Sequence, residues 1–189
     1  MAFQTFLRRY ELKYLLTYKQ KEEVLAAMEP YMAQDRYGRS LIRNLYFDTD
    51  TFRMIRRSIE KPTYKEKLRL RAYGTYQNAE TVFVELKKKY HGVVYKRRLV
   101  TSEAEANAWL LRGQASPDNS QIAHEISYVL AYYGSLHPVA FLSYQREAYF
   151  CREGGDFRVA FDDSYAVVAT TCRFQQKLAV MSFSHLIPY

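Results

Sequence analysis

Thr63-Tyr64-Lys65-Glu66-Lys67-Leu68-Arg69-Leu70-Arg71-Ala72-Tyr73 changes side-chain character at every step. Strand side chains point to opposite faces with period two. The segment therefore reads as a strand with Lys65, Lys67, Arg69 and Arg71 on one face and Glu66, Leu68 and Leu70 on the other. Such a stripe is costly alone. Two like charges ~4 Å apart at an effective dielectric of 20 repel by roughly 4 kcal/mol, less at same-face spacing, and several such pairs add. Something anionic is expected to offset that cost. Beyond a turn at residues 74–78, Thr81–Lys89 reads as the partner strand, with Glu85, Lys87 and Lys89 on one face. Gly92 leads into a third strand, Val93–Val100, carrying Lys96 and Arg98, so a three-strand meander is expected.

Working outward, Thr5–Leu16 alternates charged and apolar residues and reads as a strand bearing Glu11 and Lys13. Thr17 to Gln20 is a capping-box pattern and opens a helix expected to run to Met32. Leu41–Phe47 reads as a strand, and Asp48-Thr49-Asp50 caps a short helix with Met54 and Ile55. Ser102 with Glu105 opens a third helix through Trp109, and Gln121–Tyr133 is a fourth, amphipathic one ending at Gly134. Pro138–Phe150 and Phe157–Asp162 read as strands joined across Gly154-Gly155, bearing Arg146 and Arg158. No repeat or linker divides the chain, so residues 1–189 are expected to form one α+β domain.

Composition narrows the function. The 189 residues are 48% hydrophobic and 16% aromatic, enough for a buried core and inclined to strands. A net charge of +8 and a pI near 9.4 point to an anionic partner. Nucleic acid is disfavoured: base stacking needs aromatics among the cations, and Arg69 and Arg71 share their face only with Tyr73, the partner strand adding Phe83. Neither phosphate-binding glycine loop is present, and Ser143 lacks the glycines of a nucleophile elbow. His91, His124, His137 and His185 lack metal-ligand spacing, and Cys151 and Cys172 read as thiols of a reducing compartment. With no apolar run long enough to span a bilayer, a cytoplasmic protein is expected.

Strand after strand pairs a basic stripe with an apolar one. In an open sheet the basic face would meet water; in a closed barrel it would line the lumen. There only buried acids or an outside polyanion neutralise it. Glu11, Glu85 and Asp162 are the few acids available, which favours an outside anion.

Several segments are familiar in this order. Arg9-Tyr10-Glu11-Leu12-Lys13-Tyr14 resembles the first-strand signature of the vacuolar transporter chaperone (VTC) domain, a branch of the CYTH-like triphosphate tunnel metalloenzymes. Asn44-Leu45-Tyr46-Phe47-Asp48-Thr49, Lys67-Leu68-Arg69-Leu70-Arg71, Val82-Phe83-Val84-Glu85-Leu86-Lys87, Lys96-Arg97-Arg98, Ser143-Tyr144-Gln145-Arg146-Glu147 and Arg158-Val159-Ala160-Phe161-Asp162 follow in register.

The resemblance implies an antiparallel β-tunnel barrel with helices packed outside, and a polymerase that moves the γ-phosphoryl group of ATP onto polyphosphate with Mn²⁺ or Mg²⁺. By motif position, Lys13, Arg69, Arg71, Lys87 and Arg146 would hold the triphosphate. Lys67, Lys89, Lys96, Arg98 and Arg158 would carry the polymer, and Glu11 and Glu85 would bind metal or orient lysines. A tunnel-type hydrolase and a non-catalytic polyphosphate-binding module are the alternatives, and a membrane partner protein is compatible with each. The family's final Glu-bearing strand and Lys-bearing segment have no full counterpart. Ser182-Phe183-Ser184-His185 has His where Lys is expected, so the tunnel is expected to be incomplete at its C-terminal end.

Overall fold

The computed structural model describes residues 6–74 and 81–169, with side chains from Tyr10 onward. Four helices and seven strands follow in the order β1 (Phe6–Arg9), α1 (Tyr18–Met28), β2 (Met32–Asp48), α2 (Arg53–Ile59), β3 (Tyr64–Tyr73), β4 (Thr81–Tyr90), β5 (Val93–Ser102), α3 (Glu103–Arg112), α4 (Gln121–Tyr133), β6 (His137–Cys151) and β7 (Arg158–Ala169). The strands form one antiparallel sheet ordered β1-β5-β4-β3-β2-β6-β7. No described helix is long and apolar enough to cross a membrane.

Alternation places the core. Leu68 and Leu70 of β3, Val82, Val84 and Leu86 of β4 and Leu99 of β5 share the outer face. They pack against Trp109 and Leu110 of α3, Ile126 and Val129 of α4 and Met54 of α2. Leu68, Val84 and Leu86 are wholly buried, each contributing roughly 2 kcal/mol. Polar ties fasten α4 to this face: Tyr133 donates at 3.0 Å to the buried Glu66, whose other oxygen accepts from Tyr64 of the same strand at 2.7 Å. Lys88 and Arg97 both reach Glu125 of α4. The opposite face of the same strands is the cationic one. Side chains from β2 through β7 and from the segment after β1 line a single cavity on it, so the sheet is rolled inward.

Two local devices set the shape. Asp48, at the end of β2, accepts from the backbone N–H groups of Thr49, Met54 and Ile55 at 2.8, 2.8 and 2.9 Å. It thereby caps α2, whose N-cap position is occupied by Phe52 with a left-handed φ of 56° and no side-chain cap of its own. In β7, Ser164 has a φ of 53°, opposite a register shift between Ser143 and Gln145 of β6. This is a bulge: one extra residue re-aims those that follow. Asp162 and Tyr165, three residues apart, consequently both face the cavity.

No ladder joins β1 to β7 among the described residues, so the sheet is rolled but not closed, in keeping with the incomplete tunnel expected from the sequence. The sequence reading is corrected in three places. The first strand ends at Arg9 instead of Leu16; residues 10–17 lie outside the ladder, with Tyr10, Leu12 and Tyr14 more than three-quarters exposed. Helix α1 stops at Met28, because Met32 already pairs with Cys151 in a long β2. Strand β7 runs to Ala169, beyond Asp162, because the bulge absorbs the break in periodicity. The segments expected to carry a final strand or the Ser182–His185 echo lie outside the described residues.

Candidate functional site: a cationic tunnel

Register converts the stripes into rows. Lys65 of β3 faces Lys89 of β4; Lys67 faces Lys87, which faces Lys96 of β5; Arg69 faces Glu85, which faces Arg98. Like charges directly opposite one another on neighbouring strands are destabilising. The Arg69–Glu85–Arg98 row answers this with a carboxylate of its own, whereas the lysine rows contain none and Lys87 and Lys96 reach out of their row to Glu11 and Glu85.

Glu85 has no exposed surface. Its Oε2 accepts from Arg69 Nε at 2.8 Å and Nη2 at 2.6 Å, and lies 3.8 Å from Arg71 Nε. Its Oε1 accepts from Arg98 Nε at 2.7 Å and Lys96 Nζ at 3.5 Å. Burial opposes ionisation of Glu85, but these four cations overcome it and hold its carboxyl well below the usual carboxylate range. Further hydrogen bonds fix the guanidinium planes. Arg69 Nη1 donates to Tyr46 Oη at 3.1 Å, Arg71 Nε to Asn44 Oδ1 at 2.9 Å, and Arg71 Nη2 to Tyr144 Oη at 3.1 Å. Across the lumen Arg146 makes a bidentate pair with Asp162, both bonds 2.6 Å. Near the seam, Lys87 Nζ donates to Glu11 Oε2 at 2.6 Å, and Lys13 Nζ lies 3.8 Å from the other oxygen.

The cavity measures about 540 Å³ and is lined by nine Lys and Arg side chains against Glu11 and Asp162. Counting the buried Glu85 beneath, nine cations face three carboxylates, leaving an excess of six positive charges. Burial lowers the affinity of several of these amines for their protons. Lys96 is pushed down to about 8, partly offset by Glu85. Lys67 and Lys87 move the same way, opposed by Tyr46 and Glu11 respectively. Tyr46 itself is shifted down: burial would raise it, but Arg69, Arg71 and Lys67 favour its phenolate. An enclosed site with rigid planar donors, mobile point charges and a large positive excess suits an extended anion with many oxygens.

A VTC domain model matches residues 8–187. The chain belongs to the VTC domain family. Among solved structures, a "putative adenylate cyclase" from Bacillus halodurans is 14% identical, covering 89% of this chain and 80% of its own with a TM-score of 0.47. No curated protein matches.

Within this VTC domain, Glu11, Lys13, Lys67, Arg69, Arg71, Lys87, Lys89, Lys96 and Arg146 all border the one cavity, as does Lys65. Arg98 joins through Glu85 and lies over Phe83, 4.5 Å from its ring centre. Arg158 stands apart, exposed at the far end of β7 opposite Phe150. Asn44, Tyr46 and Tyr165 are site residues that charge counting passes over. The first two share the inward parity of β2 and were within reach of the alternation argument; Tyr165 was not, because the bulge at Ser164 inverts its parity.

Proposed function

We propose that this VTC domain is a polyphosphate polymerase that takes ATP into the cationic cavity and transfers its γ-phosphoryl group to a growing chain. The observation that carries the reading is the buried Glu85, which, with Arg98 behind it, pre-positions Arg69, Arg71 and Lys96 on the wall of a cavity that still holds six surplus positive charges. Phosphoryl transfer asks little covalent chemistry of a protein; it needs in-line placement and neutralisation of charge on the transferred group. Arg69, Arg71 and Arg146 are the bidentate grips, already oriented by Glu85, Tyr46, Asn44 and Asp162. Lys13 and Lys87 are point charges around the reacting oxygens, and Lys67, Lys89 and Lys96 continue the basic path along the polymer. Arg98 supports the grips from behind Glu85, and Arg158 would meet the anion only outside the cavity.

Mn²⁺ or Mg²⁺ belongs to the same reading. Such ions are held by substrate phosphates and one or two carboxylates and would supply charge neutralisation on the phosphate oxygens. Glu11 is the better placed of the two candidates, bordering the cavity on a partly exposed segment, with Oε2 on Lys87 and a 3.8 Å approach of Lys13 to Oε1 for a metal ion to displace. Glu85 fits less well, since both of its oxygens are taken by cations, and its part is to orient them. The same proposal places the protein in the cytoplasm, is compatible with a membrane partner protein, and has no nucleic-acid ligand.

The test is incubation of the full chain with ATP and Mn²⁺ or Mg²⁺. Acid-labile phosphate polymer and ADP in proportion are the expected products. Release of orthophosphate from tripolyphosphate without chain growth would assign a hydrolase instead. Tight tripolyphosphate binding without metal-dependent turnover would assign a binding module.

A further inference from the structure

Helix α2 carries Arg53, Arg56 and Arg57, which with Thr51 and Glu60 line a second hollow of about 350 Å³ on the outside of the sheet. Arg56 and Arg57 stand three and four positions after Arg53, so each neighbours Arg53 on the helix surface, where like charges destabilise. Arg53 also sits in the first turn, the wrong end of the helix dipole for a cation. None of the three makes an ion pair with a described residue, Glu60 included. Arg53 is nonetheless held in place. It donates to Tyr132 Oη at 3.2 Å and lies 5.2 Å from the ring centres of both Tyr132 and Tyr133.

The hollow adjoins the tunnel through the same short helix. Ser58 borders the main cavity, and its carbonyl accepts from Lys65 Nζ at 3.1 Å, while the preceding residue, Arg57, borders the outer hollow. At ~1.5 Å rise per helical residue, the two basic surfaces lie within one helix turn of each other along α2. The tunnel end next to α2 is the one formed by Lys65 and Lys89, whose facing amines have no carboxylate between them.

We propose that the α2 hollow is a second polyanion site, which takes up the phosphate chain where it emerges past Lys65 and Lys89. This rests on the polyphosphate reading above and adds the path of the chain outside the tunnel. Polymer would leave by the lysine end, turn over α2 and settle on Arg56 and Arg57, with Arg53 as the fixed far contact and Glu60 limiting affinity so that the chain moves on.

The experiment is titration of the full chain with tripolyphosphate and with a longer polyphosphate of defined length, comparing wild type with Arg56→Ala/Arg57→Ala. Loss of two exposed guanidinium contacts should weaken the long chain about tenfold, equivalent to ~1.4 kcal/mol, and leave tripolyphosphate within about twofold. Glu60→Gln should tighten the long chain alone. Arg56→Lys/Arg57→Lys, which keeps the charge, should retain most of the affinity, and a thermal melt of each variant checks its fold. Equal losses for both ligands, or no loss for either, would overturn the α2 site while leaving the tunnel reading standing. Wild-type protein that binds neither ligand would overturn both.

Discussion

Replacing Glu85 by Gln leaves the shape of the site and removes its central negative charge. In the wild type that carboxylate has no exposed surface and answers Arg69, Arg71, Arg98 and Lys96, themselves largely buried. Removing one partner of a buried ion pair costs about 3–5 kcal/mol, because the remaining charge has nowhere to be solvated. Four cations around one vacated charge place the expected loss in that range, partly relieved because Lys96 can give up its proton. For a domain of this size a loss of ~3 kcal/mol lowers Tm by roughly 6–12 °C. The informative arm is rescue. If the site is built for a polyanion, tripolyphosphate should restore more stability to Glu85→Gln than it adds to wild type; saturation at a hundred times Kd gives ~2.7 kcal/mol from a single site. Scanning calorimetry with and without tripolyphosphate measures both. A Tm within about 2 °C of wild type would show that Glu85 does not organise the cations. A destabilised variant that tripolyphosphate stabilises less than wild type would refute the claim that the four cations are held for an anionic ligand.

Arg69→Ala should weaken tripolyphosphate binding by about ten- to a hundredfold, the scale of one lost charged hydrogen-bonding group, in a titration where the variant still melts cooperatively. Arg71→Ala should do likewise, with a larger loss of stability because its guanidinium also holds Asn44 and Tyr144. With Lys96 pushed down from 10.5 to about 8, the folded chain binds fewer protons than the unfolded one between those values. This group therefore raises stability as pH climbs from about 8 towards 10 while tripolyphosphate affinity falls over the same interval, and Lys96→Met should flatten both trends. Asp48→Ala leaves three backbone N–H groups without their acceptor and should cost about 2 kcal/mol in urea denaturation, with tripolyphosphate affinity unchanged.

Strands β3, β4 and β5 were legible because each has one face that must be buried and one that must not, so every residue votes for the same register. The capping boxes at Thr17–Gln20 and Ser102–Glu105 announced the starts of α1 and α3, and both boxes form as read. Where the reading failed, local pattern had no such contrast. Residues 10–17 alternate well, but a strand needs a partner, and pairing is a property of the whole sheet. The N-terminal half of β2 carries no strand pattern of its own; it pairs only with the far end of β6, across an irregularity between Gln34 and Arg39. In the site, charge pattern found the cations. It passed over the neutral groups that aim them: Asn44 and Tyr46 share the inward parity of β2 but carry no charge to count, and Tyr165 was hidden by the bulge at Ser164.

The left-handed residue at Ser164 acts as a phase shifter for everything downstream of it. In an unbroken strand an acid and a phenol three positions apart would stand back to back; here both look into the same lumen. Deleting that one position would return β7 to even step, turning Tyr165 away from Tyr144 and rotating Val167 and Ala169 with it. One extra peptide unit thus decides which of the strand's remaining side chains share the lumen with Asp162.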